Sequence, residues 1–202
     1  MNANAKYVQV LGDAALPLLG FFWLGWNLYF IVIYYLLDLL VKEVVIHLKS
    51  RKILEEKPTA TGWMKQGVWS AVLLVSTVVL IHCAMWAIHP EIQFLNEWSD
   101  FMAYADMGIP QGYVIVPLLA MMGYQQFRLE FVMLGKFRTT HLMALWKNHH
   151  TGFLLAISAI AFVLGLSYWI ILPDVVYLIG IVAFTSLFQA VRLYQAQNNP
   201  TR

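Results

Sequence analysis

The sequence predicts an all-α integral membrane protein: a helical bundle of about six transmembrane helices, with both termini cytoplasmic. Three observations carry this expectation. Hydrophobic residues make up 60% of the 202 and charged residues only 12%, about half the charge of a soluble domain. The apolar residues gather in runs near twenty, the length that crosses about 30 Å of hydrocarbon at about 1.5 Å per residue. Basic residues fall on alternate connections between the runs, which orients them.

The first run covers residues 8–25 and is interrupted by Gly12, Asp13 and Pro17. The others cover residues 28–48, 67–88, 111–134, 151–172 and 174–195. Only Trp26 and Asn27 part the first two. An asparagine side-chain oxygen accepts from the free amides that open a helix, so a tight helical hairpin turning at Asn27 is expected. One bent helix, or a first segment lying in the interface, is the rival. Pro173 opens the last run, where proline costs no helical hydrogen bond. The link SRKILEEKPTATGWMKQ reads as loop around Pro58. With no internal repeat or low-complexity stretch, residues 1–202 form a single domain.

Lys49, Arg51, Lys52, Lys57 and Lys65 crowd the link after the second run. Lys136, Arg138 and Lys147 follow the fourth, and Arg192 and Arg202 close the chain. The connections 90–110 and 172–174 hold no Lys or Arg, and carry Glu91, Glu97, Asp100, Asp106 and Asp174. By the positive-inside rule the basic side is cytoplasmic, which implies a multi-pass protein of the cell inner membrane. No cleavable signal peptide is expected, because the first twenty residues lack a basic n-region.

The outer connection is patterned. Phe94, Leu95, Trp98, Phe101 and Met102 recur at helical spacing, opposite Asn96, Glu97 and Asp100. An amphipathic helix in the outer interface fits. It is either a lid on the bundle ends or a docking surface for a partner, built on Phe94, Leu95, Trp98 and Phe101.

Ionisable groups at bilayer depth cost about 2.5–3.5 kcal/mol each, so each needs a reason. The second run carries Asp38, Lys42 and Glu43, and the fourth Gln125, Gln126, Arg128 and Glu130. Asp38 and Lys42 stand i,i+4 on one helical face. Counting rise per residue places Arg128 level with Glu43, and Glu130 about one turn beyond Lys42. Two cross-helix ion pairs are thus permitted, and pairing would offset the cost of burial. A water-filled or ion-conducting path along the same residues is the rival.

His47, His141, His149 and His150 lie near the inner interface, and two helices offering histidines at one level is what a bis-histidine haem b or a metal site requires. His47 with His149 or His150 is that candidate, although no cofactor is expected on balance. Trp63, Trp69, Trp86, Trp98 and Trp146 read as interface anchors, and Ser70, Ser76 and Ser158 as small packing residues. Cys83 is the lone cysteine, so no internal disulfide or CxxC pair exists. Neither HExxH, GxSxG nor a Walker loop occurs. The scattered basic residues argue against nucleic acid as a partner.

Pro17, Leu18 and Gly20, then Leu24, Gly25, Trp26 and Asn27, then Tyr34 form an opening pattern. It resembles that of a family of uncharacterised bacterial multi-pass membrane proteins, a domain of unknown function whose members continue into Tyr-Trp-x-Glu. Here Tyr35 and Leu37 replace the tryptophan and glutamate, and Asp38 follows one position late. The resemblance implies the topology and brings no activity. The expected function is a non-enzymatic membrane subunit or scaffold, partnered by lipid and by other membrane subunits or further copies of itself. A small homo-oligomeric channel or transporter and a b-type haem or metal protein are the alternatives.

Overall fold

The computed structural model describes residues 3–58, 61–103 and 111–198. All regular structure among them is helical. The helices are α1 (Ala3–Trp23), α2 (Leu28–Glu56), α3 (Trp63–Ile88), α4 (Phe94–Ala103), α5 (Gln111–Gln126), α6 (Lys136–Thr139), α7 (Leu142–Trp169) and α8 (Asp174–Asn198). A π-helical stretch, Phe127–Val132, continues α5. Among the described residues three helices are long and apolar enough to cross a membrane: Trp63–Ile88, Leu142–Trp169 and the Asp174–Val191 part of α8. The other three apolar runs are interrupted: α1 offers only Ala14–Trp23 as a shorter apolar stretch, α2 carries Asp38, Lys42 and Glu43, and α5 contains Pro117.

The chain divides into two compact units, Met1–Tyr34 with Leu172–Arg202, and Tyr35–Ile171. In the first, α1 packs along α8. Gly25 takes a φ of 67°, a left-handed conformation that glycine adopts without strain. The chain turns there, and the Trp26 amide returns to the Gly20 carbonyl at 2.9 Å. The Trp26 indole lies directly on Gly20, where a Cβ would come within 2.3 Å of the ring. Asn27 Oδ1 then accepts the Phe30 amide at 2.8 Å and opens α2. One glycine for the turn, one for clearance and an asparagine cap break the apolar run here.

In the second unit α3 packs along α7. The buried face of α3 includes Gly67, Ser70, Thr77 and Ala84, small side chains that let helix backbones approach closely. Its polar member Thr77 donates to the Leu73 carbonyl at 2.8 Å and so needs no outside partner. The buried residues of α7 include Leu142, Trp146, His150 and Phe153, one stripe at helical spacing. Ile46 and Ile53 of α2 join Phe131, Phe137, Leu142 and Trp146 in an apolar cluster.

Helix α2 runs to Glu56, so the expected loop begins only at Lys57. The reason lies in the sequence of that last stretch. Ile53 is fully buried, and Glu55 is bridged by Lys52 at 2.9 Å and Arg51 at 3.5 Å along the same helix. The Lys52 hydrogen bond holds the Glu55 carboxyl below its ordinary value.

Candidate functional site around Glu43

Two residues of α2 apart, the chain faces two different neighbours. Gly123 of α5 sits against Val41 and Val45: a Cβ there would lie 2.3 Å from Val41 Cγ1 and 3.3 Å from Val45 Cγ2. Glu43 stands about 200° around the helix from both, and therefore points toward α3 and α7. Its Oε2 accepts the Ser70 hydroxyl at 2.7 Å and lies 2.7 Å from His149 Nε2, while Oε1 lies 3.2 Å from His47 Nε2. Glu43 is only 8% exposed. One carboxylate thus ties three helices together through both oxygens. Hydrogen bonds to a charged group contribute about 1.5–3 kcal/mol each, enough to offset much of the cost of burying it.

The positions follow from local sequence. Glu43 and His47 are i,i+4 on α2 and share a face. Gly67 makes room for His47, since a Cβ at Gly67 would approach the imidazole Cε1 to 2.9 Å. One turn along α3, Ser70 is fully buried and reaches the carboxylate. Trp146, on the turn of α7 before His149, is 0% exposed. Its ring meets His47 edge-on at 5.2 Å between centroids, His149 at 6.0 Å and His150 at 5.7 Å. Phe153 closes the far side of His149 at 5.0 Å. The Trp146 Nε1, His150 Nε2 and Ser50 Oγ atoms are buried without a hydrogen-bond partner.

The sequence-derived candidates divide as follows. Lys42 and Asp38 pair with each other along α2. Arg128 is not among the partners of Glu43 and lies exposed on the π-helical stretch, whose Phe131 packs with Ile46 and Ile53 of α2. Glu130 acts on Lys49 of α2, and Lys42 is given to Asp38, so neither permitted cross-helix pair is the one formed. The rise-per-residue count compares level along the helices and leaves the direction around each helix open. Gln125 is exposed and Gln126 half-buried at the end of α5.

His47, His149 and His150 do converge, yet two of them turn Nε2 onto one carboxylate, and Trp146 fills the space among the rings. Among the described residues no three His, Cys, Asp or Glu side chains are grouped to hold a metal ion.

On α4, Phe101 is buried and Phe94 stacks edge-on against His82 at 4.9 Å. Leu95 and Trp98 remain outward, at 86% and 42% exposure. Two of the four aromatic and aliphatic candidates therefore hold α4 to its own unit, and two face away.

Sequence reasoning missed Ser70 as a donor and Trp146 as a core residue. Trp146 had the marks of an interface anchor; the histidines on either side of the same helical face were the signal that it belongs inside. Comparison with protein-family models, curated proteins and solved structures returns no match, so function is argued from this chain's own chemistry.

Proposed function

We propose that the chain is a six-span membrane protein of the cell inner membrane, with both termini cytoplasmic, that serves as a non-enzymatic subunit or scaffold within a membrane assembly. The observation that carries this reading is the engagement of Glu43 on both oxygens by side chains from its own helix, α3 and α7. A carboxylate that does chemistry or conducts ions needs a face open to substrate or water; this one is used to hold helices. Asp38 and Lys42, neutralised by each other, point the same way. Met64, Val68, Val72, Val75 and Val79 of α3 are outward and apolar, a surface suited to lipid and to neighbouring helices. The six spans add α1, α2 and α5 to the three long apolar helices, on the strength of alternating loop charge.

The test is the mass of the particle extracted in a mild detergent and measured by light scattering on a sizing column. A protein mass well above the 23.2 kDa of one chain is expected. A folded particle holding a single chain overturns the reading. Ion flux through purified proteoliposomes that disappears on Asp38→Asn would replace it with the channel alternative.

A further inference from the structure

The polar end of α2 carries a second concentration of charge, separate from Glu43. Lys49 Nζ lies over the Phe131 ring at 5.7 Å, and Lys52 Nζ over Phe137 at 5.5 Å. The Arg138 guanidinium shares that second ring, also at 5.5 Å. Gly135, with a φ of 64°, turns the chain from the π-helical stretch into α6, and so delivers Lys136 and Arg138 to this corner. Lys136 directly follows Gly135, and its charge acts on Lys49 against the larger effect of Glu130.

The carboxylates nearby do not balance these cations. Glu55 is shared by Arg51 and Lys52, Glu56 meets Arg138 at 3.5 Å, and Glu130 acts on Lys49. No ion pair among the described residues includes Lys136. Burial draws the Lys49 ammonium below its ordinary value, opposed by Glu130 and reinforced by Lys136. Five cations, Lys49, Arg51, Lys52, Lys136 and Arg138, thus stand against three carboxylates, Glu55, Glu56 and Glu130, and Lys49, Lys52 and Arg138 lie over aromatic rings. An external anion would relieve this.

Immediately before Lys136 come exposed apolar side chains: Leu129 at 54%, Met133 at 68% and Leu134 at 60%. Cations beside an exposed aliphatic surface match a molecule with an anionic head and a hydrocarbon tail. We propose that this corner of α2, the π-helical stretch and α6 binds an anionic phospholipid, its phosphate between Lys49 and Lys136 and an acyl chain along Leu129 and Met133. Basic pockets at helix ends recognise anionic headgroups by the same electrostatics. The proposal rests on the membrane placement above, and is independent of the subunit reading.

The experiment places the full chain in nanodiscs of phosphatidylcholine alone, or of phosphatidylcholine with phosphatidylglycerol. It reads the thermal midpoint, and the lipid retained after release by native mass spectrometry. Preferential retention of phosphatidylglycerol and a higher midpoint in its presence are expected. Lys49→Gln with Lys136→Gln lowers that retention by about fivefold per charge removed, which corresponds to about 1 kcal/mol each. The midpoint in phosphatidylcholine alone serves as the fold control, and the exposed Lys136→Gln by itself is the fallback if the pair does not fold. A control pair, Lys57→Gln with Lys65→Gln, leaves retention unchanged. Equal retention of the two lipids overturns the site, and so does an equal loss in the control pair, which would mean diffuse attraction. A midpoint rise produced by inorganic phosphate in phosphatidylcholine discs assigns the corner to free phosphate instead. Failure to enter nanodiscs at all would overturn both this site and the membrane placement.

Discussion

Asp38 and Glu43 lie five residues apart on one helix, and their charges are handled in opposite ways. Asp38 is met by Lys42 of the same helix, with side chains 29% and 51% exposed. Glu43 is buried and met by Ser70 of α3 and His149 of α7, with its own helix contributing only the longer His47 contact. The first pair would exist in α2 alone. The second exists only when three helices have come together, so its energy belongs to tertiary structure.

That difference sets the expected sizes of substitutions, each read as a shift in unfolding free energy in detergent micelles. Glu43→Ala has the largest effect, about 3–5 kcal/mol, because it leaves a buried donor set without its acceptor. Gly123→Ala follows at about 3 kcal/mol, since overpacking forces α5 away from Val41; it perturbs the opposite face of α2 and leaves the Glu43 contacts to report on themselves. Ser70→Ala costs about 1.5 kcal/mol, the loss of one hydrogen bond to a charged acceptor. Asp38→Asn costs least, about 0.3–0.5 kcal/mol for an i,i+4 helical pair, because the Lys42 stem is able to carry its ammonium to the water edge. An Asp38→Asn loss as large as that of Glu43→Ala would erase the distinction.

The sequence made the long apolar helices α3, α7 and α8 visible, because apolar length alone defines them. It also located the break at Trp26–Asn27, since a cap residue between two apolar runs has few other uses. The extent of α2 was less visible: Lys52, Glu55 and Glu56 looked like loop charge, whereas Ile53 packs inward and the charges bridge along the helix. The site was legible in part. Depth counting set Arg128 level with Glu43 and put His47, His149 and His150 near the inner interface, but level says nothing about direction. The Ser70 and His149 contacts of Glu43, and the packing of Gly123 on Val41 and Val45, show that Glu43 turns away from α5. A glycine whose value is the close approach of another helix leaves no periodic trace, and neither does the π-helical stretch that carries Arg128.

Double-mutant analysis of Glu43 and His149 tests the central claim most directly. Glu43→Gln, His149→Ala and the double variant are unfolded in the same detergent, and their free energies compared. The two side chains are expected to couple by about 1.5–3 kcal/mol, as a charged hydrogen bond within one buried network does. Losses that simply add, to within about 0.5 kcal/mol, would contradict the account, because the carboxylate would then not be holding α2 to α7.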